Sequence, residues 1–264
     1  MRIIDYSPVE RTLTIHPQDT IHIKGHIRLN LASKGCAGSW KNGEYKPCDS
    51  SAAPFCERCK EVWPCAICTG HCTKPLHACN EPHSIYLALF APGIVKVGVT
   101  RKWRLKERLQ EQGADIGVEI AQAEDGRVAR LIEHELGKRF VERVRFGTKL
   151  AGITITADES ALSNALSELT QEGRLVDEEE IGDVMRFEYF DRKFLVQPQL
   201  IQPGVNMTIE GDVVGVKGRM LVLERFDTLY VVNLHQLLGY DITEEGNGEK
   251  GKNQLQTSMS AFMK

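Results

Sequence analysis

Ser84 to Phe90 (SIYLALF) and Ile94 to Val99 (IVKVGV) are two apolar runs separated only by Ala91-Pro92-Gly93. Short runs rich in β-branched and aromatic residues, bounded by Pro and Gly, read as the two strands of a hairpin. Downstream, a helix is predicted from about Trp103 to Gln112, stopping at Gly113. A third short strand spans Val118 to Ala123. Asp125 then stands where it can cap a helix running from about Arg127 to Phe140. Asp158 to Glu172 forms a further amphipathic helix closed by Gly173. Sheet and helices together predict an α+β class, with a three-stranded sheet and its helices at the centre of the chain.

Upstream of the hairpin, all eight cysteines fall between Cys36 and Cys79. Cys56 and Cys59 form one C-x2-C, Cys65 and Cys68 a second, and Cys36, Cys48, Cys72 and Cys79 lie outside them. Two thiolates two residues apart can grip one zinc ion from a tight turn, and four such ligands close a structural site. Eight thiols suffice for two zinc ions. The simplest partition places Cys36, Cys48, Cys56 and Cys59 on one ion and Cys65, Cys68, Cys72 and Cys79 on the other; interleaved pairing satisfies the spacing equally. Zinc is favoured over an iron-sulfur cluster or a disulfide framework. The opening MRIIDYSPVER has no apolar signal segment, which points to the cytoplasm. Residues 49–54 (DSSAAP) have little means of folding unaided, so metal binding supplies folding energy there.

Further out, Ile21, Ile23, Ile27, Leu29 and Leu31 alternate with polar residues as one half-buried strand. At the other end, strands are expected over Arg186 to Phe190, Lys193 to Val196, Asp212 to Val216, Met220 to Glu224 and Tyr230 to Leu234. The Gly211 to Leu234 stretch carries no cluster of ionisable groups and reads as scaffold, packing with the N-terminal strands as a small barrel or sandwich. The organisation expected is therefore residues 1–35 and 183–242 as a β domain, 36–83 as zinc module, and 84–155 as α+β core. Residues 156–182 make a helix and acidic connector, and 243–264 a disordered tail.

The 264 residues are 42% hydrophobic with a net charge of −3. That composition supports a packed core and excludes a simple polybasic nucleic-acid binder. No run approaches the roughly 20 apolar residues that span a bilayer. Charge is uneven: Lys96 to Arg108 holds six basic residues against Glu107 alone, while Asp177 to Glu180 is purely acidic.

Ser84-Ile85-Tyr86 and Lys96-Val97-Gly98, followed by an arginine in the next helix and a glutamate in the one after, resemble the motifs of the GIY-YIG nuclease superfamily over roughly Ser84 to Phe140. Serine replaces the first glycine, and lysine the second-motif tyrosine. With the cysteines, HSIYLALF, KVGVTR, EQGA and ARLIE, the whole chain is similar to domain-of-unknown-function family 2797. Helical phase selects the residues. With Ala129 as angular origin, Ile132, Leu136 and Phe140 share a narrow arc, and at about 100° per residue Glu133 falls inside it while His134 and Glu135 point away. A carboxylate in an apolar stripe needs a partner or a cation. On the preceding helix, Arg108 lies nearer the Leu105 and Leu109 face than Arg104.

The nuclease resemblance implies that Glu133 holds magnesium or manganese, that Arg108 steadies the phosphate, and that Tyr86 helps activate water. Lys96, Arg101, Lys102 and Arg104 are the expected nucleic-acid contacts, with DNA the first partner and RNA the second. Gly98 supplies a close backbone approach. The asparagine common in that superfamily beyond the glutamate has no counterpart before Asn164. A non-catalytic nucleic-acid binder on the same fold is the alternative expectation. Finally, Gln256, Met259 and Phe262 resemble a sliding-clamp docking peptide, with Met263 in place of its second aromatic.

Overall fold

The computed structural model describes residues 1–17, 19–41, 44–60, 79–171 and 181–243. Chain order runs β1 (Arg2–Ser7), β2 (Thr12–His16), β3 (Asp19–His22), β4 (His26–Lys34), β5 (Ser39–Lys41), β6 (Glu44–Lys46), β7 (His83–Phe90), β8 (Ile94–Arg101), α1 (Leu105–Gln112) and β9 (Ile116–Ala123). It continues with α2 (Gly126–Gly137), α3 (Phe146–Ala151), α4 (Glu159–Gln171), β10 (Met185–Arg186), β11 (Gln199–Ile201), β12 (Met207–Lys217), β13 (Met220–Arg225), β14 (Thr228–Asn233), α5 (Leu234–Leu237) and β15 (Tyr240–Thr243). The molecule is a strand-rich α+β protein.

A nine-stranded sheet takes its strands from both ends of the chain, in the order β11-β14-β13-β12-β4-β15-β1-β2-β3. One apolar core unites Leu13 and Ile15 of β2 with Leu221 and Leu223 of β13, so the sheet curls around a shared interior. The alternation read over residues 21–31 belongs to two strands, β3 and β4, because Gly25 turns the chain with φ +60°. Within β4 the expected faces hold: Ile27, Leu29 and Leu31 are buried.

The second sheet has the order β10-β9-β7-β8 and is antiparallel throughout. It has the three expected strands plus a two-residue fourth, Met185–Arg186. Strand β7 is buried on both faces, which is why its sequence is continuously apolar rather than alternating. Ile85, Leu87 and Leu89 pack against Ala129 and Leu136 of α2 and Leu162, Ala165 and Leu169 of α4. Tyr86, Ala88 and Phe90 point the other way, against Leu109 of α1. Asp125 caps α2 by accepting a hydrogen bond from the Arg127 N–H at 2.6 Å, and Gly113 ends α1 at φ +70°.

Residues 187–196 depart from the strands expected there. Phe190 and Phe194 pack with tilted rings 4.8 Å apart and fill a small core with Met220 and Val222, while Leu195 is 96% exposed. Two anchored aromatics, not a period-two pattern, set that segment's path. Among the described residues, no helix is long and apolar enough to cross a membrane.

The two sheets meet where the turn between β12 and β13 presses on the end of α1. A Cβ at Gly218 would stand 2.9 Å from Gln112 C and Gly113 N. Lys217 Nζ bonds Asp115 Oδ1 at 2.5 Å beside this contact, and Asp115 Oδ2 accepts from the Ala91 N–H at 2.9 Å.

Candidate functional site

Two groups of chemistry-bearing side chains stand out. In the first, the Sγ atoms of Cys36, Cys48, Cys56 and Cys59 all lie within 4.8 Å of one another. The β5–β6 hairpin separates the first two cysteines, and the C-x2-C turn supplies the last two. Gly38 at φ +78° lets the hairpin close, since a Cβ there would meet Lys46 O at 2.5 Å. Backbone N–H groups of Gly38 and Cys56 donate to Cys36 Sγ at 3.4 and 3.3 Å. Burial opposes ionisation of Cys56, but the Cys59 and Arg58 N–H groups and the neighbouring thiols outweigh it and bring Cys56 down to about 6. Burial and the surrounding sulfurs push Cys59 up to about 12.

Four crowded sulfurs that resist shared ionisation are what a dication resolves. The Cys48 to Cys56 sulfur separation is 3.8 Å. Tetrahedral zinc with bonds of about 2.3 Å spaces its sulfurs about 3.8 Å apart, whereas a disulfide needs about 2.05 Å. The quartet therefore has the geometry for one zinc ion, in the sequential partition. Arg2 fastens it to the large sheet: Nη1 donates to the carbonyls of Cys36 and Cys48, both at 3.1 Å, while Nε and Nη2 grip Asp241 of β15 at 2.9 and 3.0 Å. Cys79 stands outside this quartet, its carbonyl accepting from the Gly126 N–H at 2.7 Å. Cys65, Cys68 and Cys72 lie outside the described residues.

The second group sits at the β8 edge of the smaller sheet. Tyr86 on β7 lies opposite Gly98 on β8, and a Cβ at Gly98 would stand 2.5 Å from the tyrosine Cζ and Oη. The close approach at this glycine is thus that of the Tyr86 ring. Gln112 Nε2 donates to the Tyr86 hydroxyl at 2.6 Å. Lys96 Nζ lies 5.8 Å from the ring centroid, and the Arg108 guanidinium faces the hydroxyl while keeping 44% of its side chain exposed. Burial pushes the Tyr86 hydroxyl up, only partly offset by Arg108 and Gln112.

Glu133 approaches from α2 on the sheet's other face. Its side chain is 16% exposed and accepts from Arg130 at 2.5 Å, and its charge reaches both Tyr86 and Lys96. Burial brings Lys96 down to about 8; Arg108 and Arg130 act in the same sense, and Glu133 and Glu142 against it. Tyr86, Lys96 and Arg108, each from a different element, thus lie together, while Glu133 acts on Tyr86 and Lys96 through its charge from the opposite face. Glu135, by contrast, is exposed and held by Lys138. Asn164 is exposed on α4.

The rest of the basic run is largely satisfied locally. Arg101 pairs with Glu81 at 3.3 Å, Lys102 with Gln122 at 2.7 Å, and Arg104 with Glu107 at 3.1 Å and Glu111 at 2.5 Å. Cations absent from that run occupy the site instead. Lys149 of α3 donates to Gln112 O at 2.6 Å, and its charge feels Arg219 and Lys217 from the β12–β13 hairpin. The turn of that hairpin packs on the backbone of Gln112, whose side chain bonds the Tyr86 hydroxyl. No local pattern marked Gln112, Lys149, Arg219 or Glu142; only the tertiary fold brings them in. Gln256, Met259 and Phe262 fall outside the described residues.

Neither curated proteins nor solved structures give a significant match to the chain. A family model does, over residues 18–242, spanning both the cysteine quartet and the Tyr86 site: the chain belongs to the family described as Protein of unknown function (DUF2797).

Proposed function

We propose that the Tyr86 site is a phosphodiester site of the GIY-YIG kind, and that the protein is a metal-dependent DNA endonuclease acting in replication or repair. What supports this reading is the grouping of Tyr86, Lys96 and Arg108, from β7, β8 and α1, with the charge of Glu133 on α2 acting on Tyr86 and Lys96 from the other face of the sheet. A magnesium or manganese ion on Glu133 would supply charge stabilisation at the scissile phosphate. Arg108 is partly open to solvent, and its guanidinium, paired with Glu111 at 2.9 Å through Nη1, would turn its remaining N–H groups to a phosphate oxygen. Lys96 adds positive charge beside the Tyr86 ring. Tyr86, kept protonated by burial and held by Gln112, orients water through its hydroxyl rather than as a tyrosinate. The cysteine module acts as a brace, holding one zinc ion on Cys36, Cys48, Cys56 and Cys59; a second, on Cys65, Cys68, Cys72 and Cys79, belongs to this proposal. So does clamp docking through Gln256, Met259 and Phe262, which deletion of residues 254–264 tests by measuring clamp affinity.

The deciding assay incubates the full chain with nicked, branched and single-stranded DNA in magnesium or manganese. Cleavage is expected in wild type and lost in Glu133→Gln. Should wild type cut nothing across that panel yet bind DNA with steep salt dependence, the protein is a non-catalytic nucleic-acid binder. Glu133 held by Arg130 at 2.5 Å favours that second reading, since the carboxylate already has a cationic partner.

A further inference from the structure

Gln112 is a hub on which three parts of the molecule converge. Its side-chain amide reaches the Tyr86 hydroxyl, its backbone carbonyl takes the Lys149 ammonium, and its backbone supports the Gly218-Arg219 turn. Its Oε1 is buried without a hydrogen-bond partner. The Lys149 ammonium lies 4.6 Å from the Phe90 ring centroid and feels the charges of four cations: Arg219 and Lys217 from the β12–β13 hairpin, Lys96 from β8 and Arg108 from α1. Lys217 is matched by Asp115 at 2.5 Å and Arg108 by Glu111 at 2.9 Å. Neither Lys149 nor Arg219 forms an ion pair among the described residues. Burial, reinforced by the four cations, brings Lys149 down to about 8. Asp115 and Glu111 offset two of these charges, and a further anion beside Lys149 and Arg219 would relieve the repulsion that is left.

We propose that Lys149 and Arg219 extend the Tyr86 site into a phosphate track, in which cations from both sheets hold the sugar-phosphate backbone of a nucleic acid across the Gln112 hub. This rests on the nucleic-acid reading above and assigns the β12–β13 turn a binding role. Arg219 is exposed at the turn, where its guanidinium faces the Tyr6 hydroxyl and keeps donors for a ligand. The basic run from the end of β8 into α1 already spends Arg101 and Arg104 on glutamates, so the track bends away from it toward the larger sheet.

The test uses the full chain with two probes: tripolyphosphate by calorimetry, and a labelled DNA oligonucleotide by anisotropy over a salt series. Lys149→Gln with Arg219→Gln is expected to weaken DNA binding by about tenfold and to flatten the log–log salt slope by about 1.5, while abolishing the tripolyphosphate heat. Lys149→Arg with Arg219→Lys keeps both charges and is expected to keep both signals. Wild-type affinity and slope in the glutamine variant would overturn the track. So would equal loss in the charge-conserving variant, which would mark the two residues as structural. Thermal melts of both variants serve as the folding control, and the neutral variant is expected to melt no lower than wild type. Binding without cleavage in wild type would defeat the endonuclease reading while leaving this one standing.

Discussion

The cysteine quartet and the Tyr86 site are built in opposite ways. The quartet draws all its ligands from residues 36–59, in one loop closed by a hairpin and a C-x2-C turn. The Tyr86 site draws on residues between 86 and 219, on strands, helices and a turn of the other sheet. A site made from neighbours in sequence is specified by spacing, and its stability is tied to what it binds. A site assembled from distant elements is specified by packing, and inherits its stability from two cores. Metal should therefore decide the fate of the first, and packing the fate of the second.

The largest expected effect tests the first half of that contrast. Cys56→Ser should release zinc from the quartet and lower the melting temperature by on the order of 10 °C, measured with metal content in the full chain. Unchanged zinc in both Cys56→Ser and Cys36→Ser would break the comparison. Next comes Gly98→Ala, whose Cβ would stand 2.5 Å from the Tyr86 ring. Overpacking of this kind costs about 1 to 3 kcal/mol, and the variant should melt lower and bind DNA more weakly while keeping its full complement of zinc. A melt identical to wild type would show that packing does not set this site.

The smallest effect is a pH dependence. Lys149 sits at about 8 against an ordinary 10.5, so its charge is lost as pH rises through about 8. DNA affinity should fall by a few-fold between pH 7 and 9, and that part of the fall should vanish in Lys149→Gln. In the absence of an anion the sign for stability is the reverse. Between about 8 and 10.5 the unfolded chain binds the extra proton at this site, so Lys149 contributes rising stability over that window.

Sequence legibility follows the same division. The C-x2-C spacing, the Ser84 to Val99 hairpin, the Asp125 cap and the phase of Glu133 are local signals, and each has its counterpart in the structure. The break at Gly25 was invisible because residues on either side keep one alternation across two strands. Strand β11 is three residues long and β10 two, too short for any period to show. Helix α3 has six residues and none buried, so no stripe announces it. Lys149 and Arg219 carry no signal at all, since an isolated cation in a short helix and another in a turn acquire meaning only when Gly218 docks on Gln112.

The grip of Arg2 on Asp241, two residues 239 positions apart, has a consequence for how the chain is made. Strand β1 leaves the ribosome long before β15 yet cannot complete its pairing until β15 has followed, while β7, β8 and β9 find one another within a few dozen residues. Closing a long loop costs more entropy than closing a short one. The smaller sheet can therefore form while synthesis continues. The larger sheet, and the Arg2 clasp on the cysteine loop, must wait until β15 has been made.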